Sequence, residues 1–509
     1  KSTSGMLMPC QRNWARYAIS SLPRAEDDFT SIAGISAISA TEIAPTAPAS
    51  ITMARYPPEN RTLVGGTQRR PSVEGETRRL GLGEHLGAGL AGVVAFDAAP
   101  VGAFVDENFL LDRMFCSGIE QARGEAAAPR RQETEPQIAA AFAAKELAPN
   151  AAQWDEESIF PIDVIKRAGQ TGFCSLYTPV ELGGMGLGRL DASLILEELA
   201  KGCTSTTAYI TIHNMATWMI ASFGSDTLKQ EWCPKLVHGD LLASYCLTEP
   251  GAGSDAASLK TTAKREGDHY IINGSKMFIS GAGSTDVLVL MARTGEAGAK
   301  GISSFVIPAH LEGISYGRKE GKMGWNSQPT RAITLENVKV PAGNLIGKEG
   351  EGFKIAMKGL DGGRINIATC SLGTAQAALE QAQRYLHERQ QFGRPLADFQ
   401  ALQFKLADMA TELVAARQMV HLAAWKLDES NPDAGVYSAM AKRFATDVGF
   451  KVCNEALQIH GGYGYIRDYP LERHVRDSRV HQILEGTNEI MRVIIARRLL
   501  MEGAMDVIK

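Results

Sequence analysis

His269-Tyr270-Ile271-Ile272-Asn273-Gly274-Ser275-Lys276-Met277-Phe278-Ile279-Ser280 stands between two helical regions, and its reading decides the fold class. β-Branched and aromatic residues flank an Asn-Gly pair, the strongest short hairpin signal, so a turn is expected at Asn273-Gly274. Further short apolar runs, punctuated by Gly and Pro, lie at 241–248, 287–291, 302–307 and 332–338. Residues 242–350 therefore read as a small β domain. On the amino-terminal side, 137–146, 163–170, 190–199 and 208–223 have helical spacing or composition and define an α-helical domain over 134–241, its last helix ending near Gly239. On the carboxy-terminal side, Leu402, Leu406, Met409, Leu413 and Val420 recur at helical intervals, the mark of one buried face. Helical stretches at 373–389 and 436–457 flank them, giving a third, helical domain over 351–509. Strands and helices segregate instead of alternating, so the class is α+β and not a Rossmann arrangement.

The chain has 509 residues, a net charge of −4 and 22% charged residues, so no global electrostatic argument favours nucleic acid or a membrane surface. No apolar run approaches the roughly 20 residues needed to span a bilayer. The eight cysteines show no CxxC spacing, which argues against a zinc site or a disulfide framework and for a reducing compartment. Residues 1–133 are rich in Ala, Gly, Pro, Ser, Thr and Arg with weak periodicity; Arg69-Arg70-Pro71 and Pro129-Arg130-Arg131 read as loop. The opening to Arg24 is basic, hydroxylated and free of acids, as a mitochondrial presequence would be, but the extension is much longer than such a signal needs. A poorly structured extension, or sequence upstream of the true start, is the expectation.

Four motifs carry chemistry. Tyr245-Cys246-Leu247-Thr248-Glu249-Pro250-Gly251-Ala252-Gly253-Ser254-Asp255 follows the first strand; its glycines admit a ligand close to the backbone, and it reads equally well as a surface turn. Arg389-Gln390-Gln391-Phe392-Gly393 closes a helix, either as a cation beside an aromatic ring for a phosphate or as a helix cap. Gln458-Ile459-His460-Gly461-Gly462-Tyr463-Gly464-Tyr465 is a ligand-approaching turn or a helix C-cap. Leu484-Glu485-Gly486-Thr487-Asn488-Glu489 places a carboxylate before a helix, either a capping acid or, if apolar burial raises its pKa, a general base. A fifth run, Leu182-Gly183-Gly184-Met185-Gly186-Leu187-Gly188, lacks the strand–helix setting of a dinucleotide fingerprint and reads as a plain loop.

In order and spacing the four motifs resemble those of the acyl-CoA dehydrogenases, over residues 134–509. Gly324-Trp325-Asn326-Ser327-Gln328-Pro329-Thr330-Arg331, Gly362-Gly363-Arg364-Ile365-Asn366-Ile367-Ala368 and Cys203-Thr204-Ser205-Thr206-Thr207-Ala208-Tyr209 resemble the branch of that family that acts on isobutyryl-CoA in valine breakdown. The resemblance implies an α-helical domain, a β domain and a four-helix-bundle domain. It implies FAD as cofactor and Glu485 as the base that takes the α proton of an acyl-CoA while the β hydrogen leaves as hydride to the flavin. Some relatives carry the base just before the Arg of Gly363-Arg364; here that place holds Gly363. The thioester oxygen is expected on the main-chain N–H of Glu485 and a ribityl hydroxyl, an oxyanion-type arrangement.

By the same resemblance Leu247, Thr248 and Ser254, then Phe278, Ile279 and Ser280, line the flavin, with Phe278 where Trp is usual. Arg389, Phe392, Phe399, Gln400, Gln458, Gly461 and Gly462 reach the FAD of a neighbouring subunit, and Thr487, Asn488 and Glu489 contact FAD after the base. Ser254, Asp361, Arg364 and Arg497 serve CoA and the acyl chain. No metal is implied. Leu484, where straight-chain members carry Tyr, is expected to suit a short branched acyl group. Implied partners are electron-transferring flavoprotein and three further copies of the chain as a dimer of dimers, in the cytosol of a bacterium or the matrix of a mitochondrion. The alternatives are 2-methylbutyryl-CoA or short straight chains as substrate, an acyl-CoA oxidase, or a non-catalytic helical scaffold. Pro136 breaks the expected backward continuation of the first helix.

Overall fold

The protein is described here from a computed structural model, which covers residues 129–501 and 503. The expectations for a leader to Arg24 and for an extension up to residue 128 lie outside the described residues, as do Cys10 and Cys116.

The amino-terminal domain is built from α1 (Pro129–Phe142), α2 (Ala151–Glu156), α3 (Ile162–Gln170), α4 (Arg189–Gly202), α5 (Thr204–Phe223) and α6 (Asp226–Val237). Two expectations are corrected at its start. Pro129-Arg130-Arg131 opens α1 instead of lying in a loop, because proline suits the first helical turn, where its missing N–H costs nothing. The helix also runs through Pro136, with one rung of its ladder absent, and continues as a π-helical turn over Ala143–Leu147. Ala139, Ala143 and Leu147 on this element are buried against Leu196 and Leu199 of α4, so tertiary packing outweighs the local penalty. The glycine-rich run after Leu182 is a loop leading into α4.

The middle domain is a mixed sheet of β1 (Ala243–Cys246), β2 (Thr262–Glu266), β3 (His269–Ser280), β4 (Val287–Arg293), β5 (Ile302–Pro308), β6 (Ile314–Tyr316), β7 (Thr330–Pro341) and β8 (Leu345–Ile346). The order is β6-β7-β3-β2-β4-β5-β8, with β1 parallel to β4. The β domain is where the sequence places it, but its hairpin is not. The turn falls at Gly267-Asp268, joining β2 to β3, and Asn273-Gly274 lies inside β3 at a bulge. Gly274 sits at φ 150°, and a Cβ there would collide with Thr261, so glycine serves a close approach of two backbones and not a reversal. Asn273 is held by Asn337: its Oδ1 accepts from the Asn337 N–H at 2.8 Å.

The carboxy-terminal domain packs α7 (Gly352–Glu388), α8 (Gln400–Asp428) and α9 (Ala434–His460) side by side, followed by α10 (Gly462–Tyr465), α11 (Leu471–Arg479) and α12 (Asn488–Leu499). The expected helix at 373–389 is the second half of the 37-residue α7. Its glycines conceal the first half from a propensity reading, yet they are where neighbouring groups come closest. Met409, Leu413 and Val420 of the predicted face are buried against small residues of α7 and α9, Ala375, Ala378, Ala382, Ala441 and Ala445 among them. Each large apolar side chain so buried contributes roughly 1.5–3 kcal/mol. Among the described residues, six cysteines are buried and free, and no helix is long and apolar enough to cross a membrane.

Candidate active site

Two strand ends meet at the site. The chain leaves β1 at Cys246 into Leu247-Thr248, and the Met277 N–H near the end of β3 donates to the Thr248 carbonyl at 2.9 Å. Beneath them Lys276 and Glu249 form a buried ion pair, Nζ to Oε1 2.8 Å, and Lys276 also donates to the Leu247 carbonyl at 3.2 Å. Glu249 accepts from the N–H groups of Lys260 and Thr261 as well. Burial opposes ionisation of Glu249, but the Lys276 ammonium and these donors outweigh it and hold its carboxyl below the usual range. The pair ties the 247–255 turn to β3. Glu249→Ala leaves the Lys276 ammonium buried without a counter-charge, a loss of about 3–5 kcal/mol. A fall of several degrees in the unfolding midpoint, with weaker retention of any bound cofactor, is expected; an unchanged midpoint would show that the pair does not hold the turn.

Between this turn, α5, α7 and the start of α12 lies a cavity of about 310 Å³. Its wall includes Leu247, Thr248, Ser254, Phe278, Ile279, Ser280, Arg364, Leu484 and Glu485, which the sequence brings from four separate segments. Three non-glycine residues on this wall, Phe278 (φ 59°), Trp325 (φ 53°) and Glu485 (φ 54°), hold left-handed backbone conformations, which for bulky side chains is strain concentrated at one place.

Glu485 follows the short helical turn Val480–Gln482, and Thr487 then caps α12 by accepting from the Ile490 N–H at 3.3 Å. The left-handed turn at Glu485 points its carboxylate back at α7. Part of the residue faces the cavity, but Oε2 is shielded from solvent and has no hydrogen-bond partner. Burial pushes its pKa up to about 7, against the pull of the nearby Arg364 and Lys442 cations. A Cβ added at Gly363 would overlap Glu485 Oε2. Position 363 and the Glu485 carboxylate thus compete for one space, which is the physical content of the expectation that a base stands at one of the two places.

Two supporting groups, Lys442 and Tyr245, escaped the sequence reading. Lys442 on α9 is wholly buried; its Nζ donates to the Gly486 carbonyl (2.8 Å) and to Asn488 Oδ1 (2.9 Å), and burial lowers its pKa to about 8. Asn488 completes the anchor by donating to Thr446 Oγ1 at 3.0 Å and Asp447 Oδ1 at 2.8 Å. Tyr245 lines the cavity with a hydroxyl that is buried and unpartnered, and burial raises its pKa. A single lysine within a helix gives no signal of burial, and a tyrosine beside a Gly-rich turn gives none of an unpartnered hydroxyl.

Other expected site residues fall elsewhere. Asp361 is not on the wall but pairs with Arg364 Nη1 at 2.6 Å, fixing that guanidinium. Arg389, Gly461 and Gly462 line a second cavity of about 450 Å³ with Tyr385, His460 and Tyr463, sharing no residue with the first. Phe392 is 93% exposed at φ 54°, its ring 6.1 Å from that of Phe399; Gln400, next in the chain, and Gln458, near the end of α9, are also exposed. Asn488 has its amide committed to protein partners; Glu489 and Arg497 are exposed on α12, and neither lines the Glu485 cavity.

A flavin fits this arrangement. Phe278 is 63% exposed at the mouth of the cavity, an apolar ring with no protein cover, beside the hydroxyls of Thr248 and Ser280 and the enclosed Oε2 of Glu485. A planar, partly polar group would cover the ring and meet the Thr248 and Ser280 hydroxyls.

A carboxylate poised by burial, with an arginine beside it on the wall of a cavity in an α–β–α scaffold, is an arrangement suited to taking a proton from a bound ligand. The comparisons agree. The family descriptions "Acyl-CoA dehydrogenase" for the N-terminal, middle and C-terminal domains match residues 131–240, 244–338 and 350–500. The chain belongs to the acyl-CoA dehydrogenase family, whose members are flavoenzymes. It is 57% identical over 365 residues to the mitochondrial isobutyryl-CoA dehydrogenase of Bos taurus, covering 72% of this chain and 88% of that one. The enzyme of the same name from Dictyostelium discoideum is 54% identical over 359 residues, 70% of this chain and 86% of the relative. Among solved structures, butyryl-CoA dehydrogenase from Megasphaera elsdenii superposes with a TM-score of 0.72 at 39% identity, covering 74% of this chain and all of that one.

Proposed function

We propose that the protein oxidises isobutyryl-CoA, or an acyl-CoA of similar size and branching, to the 2-enoyl-CoA, with Glu485 as the base. The single observation that carries the reading is the enclosed Glu485 Oε2, unpartnered and raised to about 7 by burial on the wall of the cavity. FAD, when bound, supplies the hydride acceptor. It is held by Leu247, Thr248, Phe278, Ile279, Ser280 and Thr487, with Ser254 at the boundary with the substrate. Glu485 takes the α proton onto its carboxylate, and its main-chain N–H donates to the thioester oxygen, where enolate charge develops. Arg364, fixed by Asp361, keeps the carboxylate ionised near neutral pH and orients the thioester end, with Arg497 further out along the CoA. Leu484 gives the α carbon an aliphatic wall.

The second cavity, with exposed Phe392, is read as the half-site for a neighbouring subunit's FAD, served by Arg389, Phe399, Gln400, Gln458, Gly461 and Gly462, in a dimer of dimers. Asn488 acts from below through Lys442, and Glu489 meets the cofactor from the first turn of α12. Electrons pass to electron-transferring flavoprotein, and the cysteine pattern suits the cytosol of a bacterium or the mitochondrial matrix. The test is anaerobic mixing of the holoenzyme with a panel of acyl-CoA thioesters. Isobutyryl-CoA is expected to bleach the flavin fastest, and Leu484→Tyr to lower its kcat/KM about tenfold relative to butyryl-CoA. Equal turnover of octanoyl-CoA and isobutyryl-CoA by the wild type would refute the substrate assignment. Rapid reoxidation in air would make it an oxidase.

A further inference from the structure

The Glu485 cavity ends at a wall, and what stands behind that wall is apolar and closed. On α7, Gly363 faces the Glu485 carboxylate, and Ile367 and Cys370, four and seven residues on, continue the same face deeper into the protein. Both are fully buried and neither lines the cavity. With Ala200 and Ala208 they form a small apolar cluster whose remaining buried member is Trp325, and Leu484 packs against it. Trp325 and Leu484 touch both the cluster and the cavity wall, so the indole borders the cavity on one side and the closed apolar cluster on the other.

The placement of that indole is imposed on the chain. Trp325 is 5% exposed at φ 53°, a conformation that costs a bulky residue energy. Its main-chain N–H donates to the buried Asp477 carboxylate at 2.6 Å. Gly324 beside it lies against the Arg476 backbone so closely that no Cβ fits. The ring meets His481 edge-on, centroids 5.5 Å apart, and its own Nε1–H finds no acceptor. Nothing in the ring's polar chemistry rewards this position; its bulk does.

We infer that Trp325 is the residue that sets acyl-chain length, a plug closing the cavity behind Glu485 and keeping a straight chain out of the space over Ile367 and Cys370. This rests on the acyl-CoA dehydrogenase reading of the same cavity. Trp325 touches the far end of the acyl group and takes no part in proton or hydride transfer.

Trp325→Gly is the informative variant, because glycine adopts φ 53° without strain and keeps the Asp477 contact, so the plug is removed with the backbone in place. The readout is kcat/KM for isobutyryl-, butyryl-, hexanoyl- and octanoyl-CoA on holoenzyme. The ratio of hexanoyl- to isobutyryl-CoA is expected to rise at least tenfold in Trp325→Gly, mainly through KM for the longer chain, with Trp325→Phe in between. An unchanged ratio in a variant that keeps its flavin overturns the inference. If Trp325→Gly does not retain flavin, Trp325→Phe decides on the same criterion. Failure of the underlying reading is distinguishable, since wild-type protein would then be bleached by no acyl-CoA in the panel.

Discussion

Glu485→Gln is expected to fold, to keep its yellow flavin and to lose bleaching by isobutyryl-CoA by a factor of at least about 10⁴. Glutamine preserves shape and cannot accept the proton, and the α hydrogen of a thioester is too weakly acidic to leave without a base. Among the described residues no other carboxylate lines the cavity near this point: Asp255 is exposed on the outer turn, and position 363 is glycine. The wild-type rate should rise with pH through about 7 and level off, because the ionised form of Glu485 is the active one. The same burial has a cost in stability. Glu485 is raised in the folded state from an ordinary 4.5, so the neutral form fits the fold. The contribution of this group to stability is therefore full below pH 4.5 and is lost as pH rises through 7, with a pKa unit equivalent to about 1.4 kcal/mol. The flavin-bound but substrate-free variant should be more stable than wild type at pH 8, by about 3 kcal/mol at most, and match it at pH 4.5. Equal midpoints at both pH values would mean that the carboxylate is solvated.

Lys442→Met is expected to give the second-largest change. The ammonium is buried, and its hydrogen bonds go to neutral acceptors, the Gly486 carbonyl and Asn488 Oδ1. It acts on the base in two ways, pinning the left-handed Glu485-Gly486 turn and lowering the proton affinity of Glu485. Methionine keeps the volume and removes both effects. The acid limb of the kcat/KM profile should move up by about one pH unit, and the rate at pH 7 should fall about tenfold or more, since small misplacements of a base are costly. A variant with a lower rate and an unmoved limb would confine Lys442 to anchoring the turn.

The site was legible to the extent that its chemistry resides in short contiguous runs. Leu247, Thr248 and Ser254 belong to one turn, Phe278 to Ser280 to one strand end, and Leu484 to Gly486 to another turn, and all line one cavity. What was not legible depends on contacts between segments distant in sequence. Lys442 lies more than 40 residues from the carbonyl it holds, and nothing in its own helix distinguishes it from a surface lysine. The fold shows the same division. Domain order follows from periodicity, but Asn273-Gly274 reads as a turn in sequence because the close approach of Thr261 that calls for Gly274 lies on a separate segment. The first half of α7 was hidden because Gly362 and Gly363 lower helix propensity, whereas close packing of Arg189 and Glu485 requires them. Pro136 misled for a similar reason, as the buried face of α1 decides where that helix runs.

The central claim is that Glu485 removes the α proton, and the most direct measurement isolates that step. Holoenzyme is held with isobutyryl-CoA in deuterated water without an electron acceptor, and deuterium at the α carbon of recovered thioester is followed by NMR. Wild-type protein is expected to exchange the α proton readily, faster as pH rises through about 7, and Glu485→Gln not above the rate of thioester alone. Exchange at the wild-type rate in Glu485→Gln would contradict the account.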